Sequence, residues 1–203
     1  MKALLYANTD WYLYNFRRSL ALTLREAGHE VLLVSPSGPY GERLQALGFD
    51  WRPAPMARLS LNPWRELRLL IWLIHCVQRD RVDLIHGFTI KCAVYGSFAG
   101  RLAGNRARVS AVAGMGYVFT SQAIKARLLR PMVRLAFRAA LGGRRSRLIL
   151  QNIDDVAVFE RTRLIKPGQI RLISGSGVDL TRFTPNISEP SAPPFRVGLP
   201  ARM

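Results

Sequence analysis

The sequence predicts an α/β protein, a Rossmann-like doubly wound parallel sheet, and three observations lead there. Short apolar runs bounded by turn signals recur along the chain, and helical patterns separate them. The runs are apolar throughout rather than alternating, as strands buried on both faces must be. The chain has 203 residues, 49% of them apolar, enough for one sizeable domain with a real core.

The first run is Ala3 to Ala7 and the second is Val31 to Ser35. Between them "FRRSLALTLREAGHE" keeps Phe16, Leu20, Leu24 and Ala27 at helical spacing, and Gly28 ends the helix. That is a βαβ unit. "YGERLQALG" then predicts a short helix and "FDWRP" an extended segment. Asn62 and Pro63 read as N-cap and first-turn proline of a helix running to about Arg79. "VDLIHGF" predicts a strand ending near His86, and "VYGSFAGRLAG" a helix whose small residues allow close packing. "ARVSAVAG" and "RLILQN" predict strands, "DDVAVFERTRL" a helix, and "QIRLISGSGVD" a strand running into a turn. Asn152 with Asp155 three positions on reads as a helix start, and adjacent Asp154 and Asp155 cannot share one helix face as a catalytic pair. His29 and His75 read as turn and core residues, and Asp179 as a cap after the Gly175–Gly177 turn.

Between the first strand and its helix lies "ANTDWYLYNF", where dinucleotide-binding folds keep a glycine-rich turn. This stretch has no glycine. It reads as a loop with polar tips and aromatic faces. A pyrophosphate cradle of bare backbone N–H groups is therefore not what it offers. Asn8, Thr9 and Asp10 suit the hydroxyls of a sugar, and Trp11 and Tyr12 suit its C–H surface.

The formal net charge is +17, and from Arg101 to Arg147 eleven Lys and Arg residues occur with no Asp or Glu. Such a field attracts anionic partners, nucleic acid or a membrane surface. Cys76 and Cys92 sit in apolar helical contexts without metal-ligand spacing and read as reduced, buried thiols. No His and carboxylate cluster suggests a metal, and no cofactor is expected. Lys2 is followed by five apolar or aromatic residues before Asn8, too few for a secretory leader. The longest apolar run, "LLIWLI", is far short of the ~20 residues that span a bilayer. A cytoplasmic protein, peripheral at the inner face of the membrane, is expected.

Four segments carry a family resemblance: "ANTDWYLYNFRRSLA", "DLIHGFTIKCAVYGSFAGRLAG", "GMGYVFTSQAIKARLLRP" and "GSGVDLTRFTP". Together they resemble the N-terminal half of bacterial retaining GT-B glycosyltransferases of the family 4-like kind. The resemblance implies one half of a GT-B fold: residues 1–185 as an acceptor-binding domain, 186–194 ("NISEPSAPP") as linker, and 195–203 as the first strand of a donor-binding domain that the chain does not complete. It also implies transfer of a sugar from a nucleotide-sugar to a lipid-linked or polysaccharide acceptor, with most of the donor site missing and little turnover by this chain alone. Arg202 matches the arginine that holds the donor diphosphate.

On this reading the acceptor site comprises Asn8, Thr9, Asp10, Trp11, Tyr12, Thr89, Lys91, Gly114, Gly116 and Tyr117. Thr89 and Lys91 start a helix whose N-terminus and ammonium suit a phosphate, and the two glycines let backbone approach a ligand. His86, at a strand tip, is the candidate catalytic side chain; relatives often carry a second histidine where Phe88 stands here. Arg127, Arg130, Arg134 and Arg138 form a basic stripe for an anionic membrane surface, with Pro131 expected to start a new helix and offset the two parts. Two alternatives stay open. A basic nucleic-acid-binding protein fits the charge but lacks any nucleic-acid motif, and a remnant pairing with a separate donor-domain chain fits the apolar stub "FRVGLPARM".

Overall fold

A computed structural model describes residues 1–58, 60, 62–104, 106–112, 124–162, 164–178 and 180; among 124–133 only the side chain of Pro131 is described. Seven parallel strands form one sheet in the order β3-β2-β1-β4-β5-β6-β7. They are β1 (Lys2–Tyr6), β2 (Glu30–Ser35), β3 (Asp50–Pro53), β4 (Leu84–Phe88), β5 (Ala107–Val112), β6 (Ser146–Leu150) and β7 (Ile170–Leu172). The order reverses between β1 and β4, which pair from Ala3↔Leu84 to Tyr6↔Gly87. Open α/β sheets bind ligands at the carboxyl ends of strands beside such a reversal.

The doubly wound expectation holds because both sheet faces are apolar. Helices α4 (Pro63–Arg79), α5 (Ile90–Leu102), α6 (Ile124–Leu141) and α7 (Ile153–Arg161) cover one face. Their side chains meet Leu4, Tyr6, Leu32 and Val34 at one end of that face and Val112, Leu148 and Leu150 at the other. Helices α2 (Arg18–Glu26) and α3 (Gly41–Ala46) cover the opposite face around Leu5, Leu33, Phe88 and Ala111. Ala3 to Ala7 are wholly buried, as a central strand requires.

Local signals set the helix ends. Gly28 takes φ +78° just past α2, a conformation costly for any residue with a Cβ. Asn62 accepts from Trp64 N–H at 3.0 Å and Arg65 N–H at 3.3 Å. Asn152 accepts from Asp155 N–H at 2.7 Å, and its amide returns a bond to the Asp155 carboxylate at 2.9 Å. Helix α5 buries Cys92, Ala93, Gly96, Ser97, Ala99 and Gly100, the small-residue face the sequence indicates. A Cβ at Gly100 would lie 2.9 Å from Ile85 Cδ1 and one at Gly96 3.2 Å from Ile85 Cγ2, so glycine at both positions lets the helix sit close to β4.

Two boundaries differ from expectation. β4 runs past His86 to Phe88, while α5 starts at Ile90, between Thr89 and Lys91 as expected. α6 continues through Pro131 without starting again. Proline removes one interior hydrogen bond, and burial of Phe137, Ala140 and Leu141 in the core secures the C-terminal part of the helix. The expected linker 186–194, the strand stub 195–203 and the Asp179 cap lie outside the described residues. Among the described residues, no helix is long and apolar enough to cross a membrane.

The edge strand β3 is tied to the end of α4 by an ion pair between Arg52 and Asp80, with Asp50 on the same guanidinium at 2.7 Å. Burial alone would raise the Asp80 carboxyl, but the Arg52 guanidinium prevails and holds it below the usual aspartate range. A carboxylate with a depressed folded-state pKa adds stability above its unfolded value, lost as pH falls through the folded one. Asp80→Asn is therefore expected to cost about 1–3 kcal/mol at pH 7. The gap to wild type should begin to narrow below about pH 3.9, the ordinary aspartate value, and shrink further as pH falls toward the depressed one. Urea melts at pH 7 and pH 3 check this; an equal gap at both pH values would remove the ion pair from the account.

Candidate functional site

The stretch after β1 is helical, not a loop. Thr9 has extended backbone, and its hydroxyl accepts from Tyr12 N–H at 3.1 Å, capping a short helix α1 (Asp10–Tyr12). The five residues Leu13–Arg17 then widen into a π-helical turn before α2 continues. Such turns are rare and are frequently found at functional sites. Its effect here is geometric. Five residues along a regular α-helix lie about 140° apart around the axis, yet Arg17 Nη2 donates to the Tyr12 hydroxyl at 2.6 Å.

An aromatic cluster surrounds this pair. The Arg17 guanidinium lies 4.5 Å from the Phe88 ring centre and 5.2 Å from that of Tyr12. The Tyr12 and Phe88 rings are 6.0 Å apart, and His86, two positions back on the same strand face, holds its ring tilted 4.1 Å from Phe88. Trp11 meets Phe16 edge-on at 5.3 Å, and both are 43% exposed. This makes an apolar platform open to solvent beside a partly sheltered cation.

The residues singled out in the sequence fare differently. Asn8 and Thr9 are half-buried, with the Thr9 hydroxyl engaged as a cap. Asp10 is 4% exposed, and its carboxylate accepts from Trp11 N–H at 2.8 Å, Tyr40 N–H at 2.6 Å and Gly41 N–H at 3.0 Å. It caps α3 from across the sheet edge, which leaves it little capacity for a sugar. Lys91, expected to hold a phosphate, is instead ion-paired with Glu66 at 2.8 Å and donates to the Ala57 carbonyl at 2.8 Å. Its charge is matched within the fold.

His86 is half-buried, and its Nε2 has no hydrogen-bond partner. Burial, with a smaller contribution from the Arg17 charge, pushes its pKa down to about 3. A neutral imidazole this weakly basic offers hydrogen bonds at neutral pH rather than proton transfer. Thr89 holds φ +71° and ψ 160°, a region that costs a β-branched residue about 1–3 kcal/mol. Its hydroxyl faces the buried Cys92 thiol on the α5 side of the sheet. The N–H of this residue donates to the Ala111 carbonyl at 3.1 Å, fixing the start of α5 against β5.

Gly114, Gly116, Tyr117 and Arg202 lie outside the described residues, as do the side chains of Arg127 and Arg130. Arg134 and Arg138 are exposed on α6, and Arg138 donates to the Thr162 carbonyl at 3.3 Å. Sequence reasoning missed Arg17, which looked like an ordinary helix surface residue. It also missed a groove of about 430 Å³ beside the ends of β2 and β3, where Ser37, Ala57, Arg65 and Arg68 meet.

This sheet order, with its reversal between β1 and β4, defines a Rossmann-like domain. The chain belongs to the glycosyl transferase 4-like domain family, whose model matches residues 15–158. It is 27% identical over 177 residues to N,N'-diacetylbacillosaminyl-diphospho-undecaprenol alpha-1,3-N-acetylgalactosaminyltransferase of Campylobacter jejuni, covering 85% of this chain and 46% of that protein. It is 25% identical over 159 residues to the Escherichia coli UDP-Gal:alpha-D-GlcNAc-diphosphoundecaprenol alpha-1,3-galactosyltransferase, covering 78% of this chain and 39% of that protein. The chain thus spans less than half the length of either relative. Anabaena HepE, solved with UDP and glucose, superposes with a TM-score of 0.62 at 16% identity, over 89% of this chain and 46% of that one, and shares the fold.

Proposed function

We propose that this chain is the acceptor-side domain of a glycosyltransferase that moves a sugar from a nucleotide-sugar onto a lipid-linked acceptor, one sugar already attached to a polyprenyl diphosphate. The observation that carries the reading is the exposed Trp11–Phe16 platform beside Arg17 at the sheet's reversal point, in a chain whose relatives are named for undecaprenyl-diphosphate acceptors. Flat apolar rings suit a sugar face, and a neighbouring cation suits a phosphorylated one.

A lipid-linked acceptor requires a membrane surface. Helix α4 presents one: Trp64, Leu67 and Ile71 are 78%, 46% and 45% exposed on one helix face, with Arg65, Arg68 and Arg79 exposed around them. α4, α5 and α6 lie side by side, so Arg134 and Leu135 of α6 share the outer surface of this layer. An apolar stripe edged by arginines matches an anionic bilayer at the inner face of the cytoplasmic membrane.

One experiment tests both parts. The protein is floated with phosphatidylglycerol vesicles that contain, or lack, an undecaprenyl-diphosphate-linked N-acetyl sugar. Leu67→Glu with Ile71→Glu should reduce binding to both vesicle types about tenfold or more. Trp11→Ala should abolish only the increment due to the lipid-linked sugar. Binding that ignores the helix substitutions would sink the membrane face, and an acceptor increment that survives Trp11→Ala would sink the platform.

A further inference from the structure

We propose that Arg17, framed by Tyr12, Phe88 and His86, receives the diphosphate of a substrate at the sheet's reversal point. This deepens the acceptor-site reading, on which it rests, by naming the residue that holds the charge.

Arg17 has no counter-charge. The ion pairs among the described residues engage Lys2, Arg52, Arg79 and Lys91, and none involves Arg17. Its one hydrogen bond goes to a neutral hydroxyl, that of Tyr12. Arg17 is half-buried and its Nε is fully so, which limits the water that can replace the missing anion. Two aromatic faces shelter the guanidinium and lower the local dielectric, which strengthens its attraction for a phosphate oxygen. A guanidinium is also the side chain best shaped to meet a phosphoryl group with two parallel bonds.

The neighbouring polar atoms are equally unmatched. Arg17 Nε and His86 Nε2 are both buried without partners. Native proteins leave few such atoms, and each calls for an explanation. Two at one strand end, on residues of two separate elements, mark a site completed from outside. Tyr12 adds a donor: accepting from a cation polarises its O–H, which is then free to bond an anionic oxygen. The nearby lysine cannot substitute, because Lys91 is committed to Glu66.

A diphosphate can come from the lipid-linked acceptor or from the nucleotide donor, and the test separates them. The 203-residue protein and its Arg17→Gln and Arg17→Lys variants are titrated calorimetrically with farnesyl diphosphate, farnesol and UDP. Arg17→Gln should weaken farnesyl diphosphate about tenfold or more and leave farnesol unchanged, with partial recovery in Arg17→Lys. The same loss confined to UDP would keep the diphosphate site and assign it to the donor. Equal binding of both diphosphates by wild type and Arg17→Gln, or no binding by either protein, overturns the proposal. Tyr12→Phe, which keeps the ring, is the second variant should Arg17→Gln fail to fold, and a several-fold loss is expected. A clear Arg17 effect with no gain from adding a sugar to the lipid diphosphate would sink the sugar platform and leave the diphosphate site standing.

Discussion

Gly87→Ala is expected to destabilise the protein by about 3 kcal/mol or more, at the upper end for overpacked cores. A Cβ there would stand 2.6 Å from the Cys92 carbonyl oxygen and 2.8 Å from Ala93 Cα. Both are backbone atoms of α5, so no rotamer change can make room. The helix must lift from β4 instead, parting its buried small-residue face from Ile85 and Tyr6. Because Gly87 lies between His86 and Phe88, diphosphate binding should fall along with stability. Gly168→Ala is the control, since a Cβ there meets nothing within 4 Å. Urea melts of the two variants check this, and a Gly87→Ala midpoint equal to wild type would show that the two layers are looser than drawn.

Asp10→Ala should cost about 2–4 kcal/mol, the loss of a charged acceptor that serves three backbone N–H groups. Tyr40 offers no side-chain cap to α3, so the Asp10 carboxylate fills that role from 30 residues away. It also places a negative charge at the helix N-terminus. Gly38 encloses it: a Cβ at that position would come within 2.4 Å of Asp10 Oδ1. The melting temperature should fall by about 5–15 °C in a domain of this size. Asp10→Asn, which keeps one acceptor oxygen, should fall less. A melt unchanged by Asp10→Ala would return the carboxylate to the list of groups available to a ligand.

The contrast between Asn152 and Asp10 shows what was legible in the sequence. Asn152 caps a helix three residues away, so composition and spacing disclose it, as they disclose Asn62 and Gly28. Sheet and layers were legible for the same reason, because apolar runs and helical spacing are local patterns. Asp10 with Tyr40, and Lys91 with Glu66, are bonds between residues 30 and 25 positions apart, which no local pattern announces. The segment from Asp10 to Asn15 was read as loop because its aromatic and amide side chains lack an apolar period. A signal was nonetheless present: Thr9 followed by Asp10 is a cap with an acid in the first turn. Arg17 was illegible altogether, since its meaning depends on Phe88 from a distant strand.

The widened turn at Leu13–Arg17 sets stability and recognition at odds in this domain. Deleting one residue from it would let the coil wind evenly into α2, a tighter and better-bonded rod, while swinging the guanidinium away from its aromatic frame. Closing the turn would thus exchange the proposed diphosphate contact for a more regular backbone.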